Sequence, residues 1–112
     1  MPCLFCKIIA GEIPAKMVFE DDLTCAFNDI NPQAPTHVMV VPRRHIGSLA
    51  ESGAEDEELI GHLHLVAAQI AGSHGLSNGF RTVINTGRDG GQTVDHLHVH
   101  LLGGRAMHWP PG

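Results

Sequence analysis

The stretch His96-Leu97-His98-Val99-His100-Leu101-Leu102 decides how this chain is read, because polar and apolar residues alternate along it with a period of two. On a strand, successive side chains point to opposite faces, so the three imidazoles share one face while Leu97, Val99 and Leu101 enter a core behind them. Same-face neighbours then start about 7 Å apart. On a helix the three rings would scatter, since residues two apart do not face each other. The expectation is a last strand over 96–102 with a row of imidazoles on its open side.

Upstream lies Asn85-Thr86-Gly87-Arg88-Asp89-Gly90-Gly91-Gln92-Thr93. Gly90 and Gly91 allow backbone N–H groups to come close to an anion, and Asn85, Gln92 and Thr93 add neutral donors. The loop lacks the Gly-Lys-Ser/Thr ending of a P-loop, which excludes a Walker-type ATPase. Two chemistries remain open for the histidine face. A His-x-His pair can offer two ligands to a zinc ion that activates water. Alternatively, an imidazole acts as nucleophile and as acid or base beside a phosphate held by the loop. The loop favours the second.

Farther out the period changes. Leu59, Leu63, Val66, Ala67 and Ile70 recur at helical spacing, Ser52 and Glu55 have the spacing of a capping box, and the acidic residues from Glu55 to Glu58 suit a helix N-terminus. Gly72 and Gly75 end this long helix. Met17 to Glu20 and Leu23 to Asp29, parted by Asp21-Asp22, read as a hairpin. Thr36 to Val41, preceded by Pro32 and Pro35 and stopped by Pro42, reads as a central strand, and Gly79 to Asn85 as another. Leu4 to Ala10 reads as one or two helical turns before Gly11. The fold class is α+β: an antiparallel sheet of about five strands, one long helix on a face, and a short N-terminal helix. Residues 1–112 form a single domain, with an N-terminal segment 1–10 and a tail 103–112 whose Trp109-Pro110-Pro111 continues neither regular structure.

Composition narrows the function. With 43% hydrophobic and 17% charged residues, the 112-residue chain has the make-up of a globular domain and not of a disordered one. Seven Lys and Arg against twelve Asp and Glu, a formal charge of −5, argue against nucleic acid as partner. No apolar run approaches the ~20 residues that span a bilayer, and Met1-Pro2-Cys3 lacks a secretory start, so no membrane association and a cytoplasmic location are expected. Three cysteines cannot close as a fully paired disulfide framework; Cys3-Leu4-Phe5-Cys6 has metal or redox spacing, and Cys25, in an apolar run, reads as buried filler. Nine histidines are the outlier.

The His-x-His-x-His run resembles the signature of the histidine-triad (HIT) family. Glu12-Ile13-Pro14-Ala15, Phe27-Asn28-Asp29-Ile30, Pro32-Gln33-Ala34-Pro35-Thr36-His37, Gly90-Gly91-Gln92 and His108-Trp109-Pro110-Pro111-Gly112 are similar to its Hint branch, the histidine-triad nucleotide-binding proteins. The resemblance implies a homodimer with the sheet extended across it. It also implies a phosphoramidase that cleaves the P–N bond of purine nucleoside 5′-phosphoramidates and releases a nucleoside monophosphate such as AMP.

By the same resemblance His98 is the nucleophile that attacks phosphorus to form a nucleotidyl-imidazole, so its Nε2 must be unprotonated and its Nδ1–H held by a backbone carbonyl. His100 and His37 support the row. Asn85, Gly91, Gln92 and Thr93 match phosphate-contacting positions, although the family often has Ser where Thr93 stands. Asp29 matches the carboxylate that accepts the ribose hydroxyls, and Phe5, Ile8, Phe27 and Ile30 resemble the walls around the base. Trp109 belongs to a tail expected to cross to the partner subunit and influence the leaving group. Cys3 and Cys6, with His45 of Pro42-Arg43-Arg44-His45 and with His96, match the four ligands of a structural zinc ion in bacterial relatives. A zinc ligand cannot also move protons, so catalysis would rest on His98, His100 and His37. His62, His64, His74 and His108 are expected at the surface or an interface. The alternatives are a zinc-dependent hydrolase using the His-x-His strand and a non-catalytic nucleotide sensor or scaffold.

Overall fold

In the computed structural model, which describes residues 3–112, the alternating run packs as its pattern predicts. Leu97, Val99 and Leu101 are buried. Met1 and Pro2, the start of the 1–10 segment, lie outside the described residues. The strands are Met17–Glu20 (β1), Thr24–Asn28 (β2), Thr36–Pro42 (β3), Phe80–Val83 (β4) and Val99–Gly103 (β5), and they form one antiparallel sheet in the order β1-β2-β3-β5-β4. Leu4–Ile9 (α1) and Glu57–Ser73 (α2) complete the α+β fold.

Strand parity sorts the residues between two layers. Ala26, Val38, Val40, Val99 and Leu101 pack against Leu63, Val66, Ala67 and Ile70 of α2. On the opposite face Cys25, Phe27 and Val41 pack with Phe5 and Ile8 of α1. An isolated six-residue helix does not hold together in water, so α1 depends on burying Phe5 and Ile8, each contributing about 1.5–3 kcal/mol. His37, Met39 and His100 share this second face, since Met39 pairs with His100 and Phe27 with Met39 across the strands.

The last strand begins at Val99 and not at His96. Pro42 has no N–H to donate and its carbonyl accepts the His96 ring N–H at 2.8 Å, so the ladder between β3 and β5 stops at the Val40–Val99 pair. Residues 96–98 are held by other bonds, including Leu97 N–H to the Ile46 carbonyl at 2.6 Å. The other boundary that moves is the start of α2. Ser52 Oγ donates to the Leu49 carbonyl at 2.6 Å, whereas Asp56 accepts the Gly53 N–H at 2.9 Å and pairs with Arg44; the Gly53–Asp56 bond closes a 3-10 turn over Ala54–Asp56, and Asp56 itself is the residue before α2, which starts without a side-chain cap bond. The Arg44 hydrogen bond, with that from Gly53, holds the Asp56 carboxyl below the usual range. Pro42 closes β3 from within, and β4 is shorter at both ends than the Gly79 to Asn85 reading.

The β1–β2 turn is tied to α2. Asp21 Oδ1 accepts the Leu23 and Thr24 N–H groups at 2.9 and 2.8 Å, and Oδ2 meets His62 Nε2 at 2.7 Å. Burial opposes ionisation of Asp21, but bonds from Thr24, His62 and the backbone outweigh it and leave the pKa well below the carboxylate range. Among the described residues no helix is long and apolar enough to cross a membrane.

Candidate active site

Each imidazole of the run is fixed by a different partner. His98 is 3% exposed, and its Nδ1 lies 2.7 Å from the His96 carbonyl. A carbonyl only accepts, so the proton sits on Nδ1 and the Nε2 lone pair is free. That is the tautomer a nucleophile requires. Phe5 stands edge-on to the ring with centroids 5.1 Å apart, and His100 follows at 4.8 Å.

His100 receives its tautomer from β3. The Gln33 backbone N–H donates to His37 Nδ1 at 3.0 Å, so neutral His37 carries its proton on Nε2. That proton faces His100 Nδ1 at 2.9 Å, with Asp29 Oδ2 at 3.4 Å from the same nitrogen. His100 Nδ1 is therefore the acceptor, and its remaining proton is on Nε2. Burial, together with the nearby His98 and His37, pushes the His100 pKa down to about 4 against the pull of Asp29. Burial likewise lowers that of His37, again opposed by Asp29. Both rings are neutral at pH 7, the free Nε2 lone pair of His98 lies beside an uncharged N–H donor, and Asp29 completes the cluster. The three donors Asp29, His37 and His100 sit close enough to suggest a metal, but His37 Nε2 bears the proton dictated by Gln33 and is no ligand.

The glycine-rich loop is self-braced. Asn85 Nδ2 donates to the Gly90 carbonyl at 2.8 Å; Gln92 Nε2 donates to Gly47 and Val94 carbonyls at 2.8 and 3.0 Å, and its Oε1 accepts the Gly87 N–H at 2.9 Å. Both Gln92 amide hydrogens thus shape the loop. A Cβ at Gly90 would lie 2.3 Å from the Thr86 carbonyl oxygen, and Gly91 has φ +80°, so the turn demands glycine at both. Thr93 is exposed. Of the expected base walls, Phe5, Ile8 and Phe27 are buried together and Ile30 is 99% exposed; Trp109, in the tail, is 86% exposed.

His96 serves a separate cluster. Its Nε2–H goes to Pro42, which leaves the Nδ1 lone pair facing Cys3 Sγ at 3.3 Å, Cys6 Sγ at 3.6 Å and His45 Nδ1 at 3.2 Å; Cys6 Sγ lies 3.4 Å from His45 Nδ1. All four donor atoms are within 4.8 Å of one another. Tetrahedral bonds of ~2.0–2.3 Å place donors ~3.3–3.8 Å apart, so the set has the dimensions and chemistry of a closed zinc centre. Burial, then Cys3, raises the Cys6 thiol pKa when no cation is present to favour thiolate. His96 and His98 direct their lone pairs into different clusters and do not form a shared His-x-His metal site.

The Gln33 amide and the Pro42 carbonyl, which set the tautomers, carry no side-chain signal. The Asp21–His62 pair was equally unmarked, since neither residue belongs to a motif. His64, His74 and His108 are exposed and His62 half-buried, in line with a surface reading.

The HIT domain family profile matches residues 10–107. An uncharacterized HIT-like protein of Synechococcus elongatus is 58% identical over 109 residues, 97% of this chain and 96% of that protein. Among solved structures, a HIT family hydrolase from Legionella pneumophila has TM-score 0.97 and 50% identity, covering 99% of this chain and all of the other. A histidine triad protein from Clostridium difficile has TM-score 0.92 and 47% identity over 95% and 93% of the two chains.

Proposed function

This chain belongs to the HIT domain family and has the fold of its hydrolases, and we propose that it is a Hint-type phosphoramidase that cleaves the P–N bond of purine nucleoside 5′-phosphoramidates. His98 Nε2 attacks the α-phosphorus, forming a P–N bond to imidazole as the bond to the amine breaks. Water then attacks the nucleotidyl-His98, releasing the nucleoside monophosphate and restoring the ring. The departing amine takes one proton, delivered by an imidazole of the row or by the substrate's surroundings. The observation that carries this reading is the Nδ1–H of His98 bound to the His96 carbonyl at 2.7 Å, which leaves Nε2 unprotonated beside neutral His100.

The remaining residues fit a nucleotide. His100 Nε2–H and the exposed Thr93 hydroxyl would donate to the phosphoryl oxygens, while the Gly91 and Gln92 N–H groups hold the loop through the Arg88 and Gly87 carbonyls at 3.1 and 3.0 Å. Asp29 already accepts the Asn31 N–H at 2.8 Å through Oδ1 and keeps lone pairs for the ribose hydroxyls. Phe5, Ile8 and Phe27 offer an apolar wall for the base. Cys3, Cys6, His45 and His96 would hold a structural zinc ion that ties α1 to the last strand. β4 lies at an edge of the sheet with Phe80 exposed, which suits pairing with a second copy in a homodimer and would bring Trp109 toward the partner's site.

Rapid quenching of the protein with adenosine 5′-phosphoramidate, followed by peptide mass mapping, tests the reading. The expected result is an adenylyl group on His98. AMP binding with no adduct and no turnover would instead make the chain a nucleotide sensor.

A further inference from the structure

The tail that follows β5 returns to the strand-connecting loop that controls the His37–His100 pair. Arg105 Nε donates to the Gln33 carbonyl at 2.9 Å. The N–H of the same residue is the donor that fixes His37 Nδ1. One residue earlier, Gly104 has φ +90°, and a Cβ there would meet Pro35 Cβ at 2.9 Å, so the tail is seated against the loop at a second point. Gln33 is exposed and short of other anchors: its Nε2 donates to the Asn31 carbonyl at 3.0 Å, a bond within the loop itself.

The geometry points to Arg105 as a positioning residue for the reaction: its guanidinium, by holding the Gln33 carbonyl, aims the Gln33 N–H at His37 and so sets the proton on His100 Nε2. This assignment rests on the phosphoramidase reading for its kinetic consequence but not for its structural one. The path is continuous: Arg105 Nε, Gln33, His37 and His100 are joined by contacts of 2.9, 3.0 and 2.9 Å. Without Arg105 the loop loses an external hydrogen bond, and the Gln33 backbone, whose carbonyl and N–H belong to successive peptide units joined at one Cα, is no longer held in the orientation that aims the N–H. His37 can then place its proton on Nδ1, turning His37 Nε2 from donor to acceptor and forcing His100 to carry its proton on Nδ1, away from the phosphoryl group. The ribose carboxylate is affected less, because Asp29 is braced by the Asn31 N–H without help from the tail.

The test compares Arg105→Ala, Arg105→Lys and Arg81→Ala in the full-length chain. Arg81 also ties down the tail, donating to the His108 carbonyl at 2.9 Å, but does not touch the loop. Two readouts are taken: histidine ring 15N shifts, which report the tautomers of His37 and His100, and the division of any loss between kcat and KM. Arg105→Ala is expected to shift both rings away from the pure Nε2–H form and to lower kcat about tenfold or more with little change in KM, the scale of a displaced catalytic group. Arg105→Lys, whose ammonium can reach the same carbonyl, recovers part of both, and Arg81→Ala leaves both as in the parent. Unchanged ring shifts in Arg105→Ala overturn the assignment, as does an equal effect in Arg81→Ala. If the parent protein turns over no phosphoramidate, the functional reading fails, and the 15N shifts alone still decide the role of Arg105.

Discussion

His96 and His98 stand two residues apart in one alternating run, yet they work in opposite senses. His96 binds a carbonyl through Nε2 and turns its Nδ1 lone pair on two thiols and a second imidazole. His98 binds a carbonyl through Nδ1 and keeps Nε2 free beside His100. Identical side chains thus present opposite ring nitrogens, Nδ1 of His96 to the thiols and Nε2 of His98 to the histidine row, by the choice of which one meets a backbone oxygen. The two clusters also share an atom group, since the His96 carbonyl that orients His98 belongs to a residue whose ring is held in the thiol cluster.

The largest expected difference between the regions is catalytic. His98→Ala should lower turnover by on the order of 10⁴-fold or more, the scale of losing a covalent nucleophile, while AMP still binds in calorimetry and zinc content stays the same. Cys6→Ser, or a chelator, should do the reverse: metal is lost, the unfolding temperature drops, and the protein that stays folded keeps most of its turnover. Equal collapse of activity in both would merge the clusters into one metal-dependent site and revive the zinc-hydrolase alternative.

A smaller effect belongs to the nucleoside side of the site. Asp29→Ala should weaken AMP binding about ten- to a hundredfold, as expected for hydrogen bonds to a charged acceptor. Unaltered affinity by calorimetry would take the ribose away from Asp29. The mildest effect is on stability against pH. His100 titrates near 4 in the fold against 6.5 unperturbed, with His37 lowered in the same direction. The unfolded chain then binds more protons than the folded one across that interval, so this contribution is fully present above pH 6.5 and is lost as pH falls toward 4. The denaturant midpoint should decline over that window, and His100→Gln should flatten the decline; an identical slope in the variant would show that other groups set it.

Much of the fold was legible. Period two in 96–102 placed Leu97, Val99 and Leu101 in the core, and the helical spacing from Leu59 to Ile70 found the buried face of α2. Boundaries were less legible where a side chain engages the backbone: β5 starts late because the His96 ring occupies the Pro42 carbonyl, and α2 starts only after the turn over Ala54–Asp56 that the Asp56 carboxylate closes on the Gly53 N–H. In the site, the grouping of Asp29, His37, His98 and His100 and of the two cysteines with His45 and His96 was implied by the family resemblance and not by spacing; the fold brings Cys3, Cys6, His45 and His96 together, and Asp29 with His37 and His100. The engagement of Gln92 with the Gly47 carbonyl was not legible, because that partner lies in another loop 45 residues away.

By itself the amino-acid sequence determined which residue types lie on which face, since alternation and helical spacing are local properties of the backbone. Only the tertiary structure decided which nitrogen of each imidazole bears the proton. That choice depends on the Pro42 carbonyl, 54 residues from His96, on the Gln33 amide acting on His100 through His37, 63 residues away, and on the His96 carbonyl two residues before His98. A tautomer is worth a single hydrogen bond, and it is settled by whatever backbone group the folded chain brings within about 3 Å.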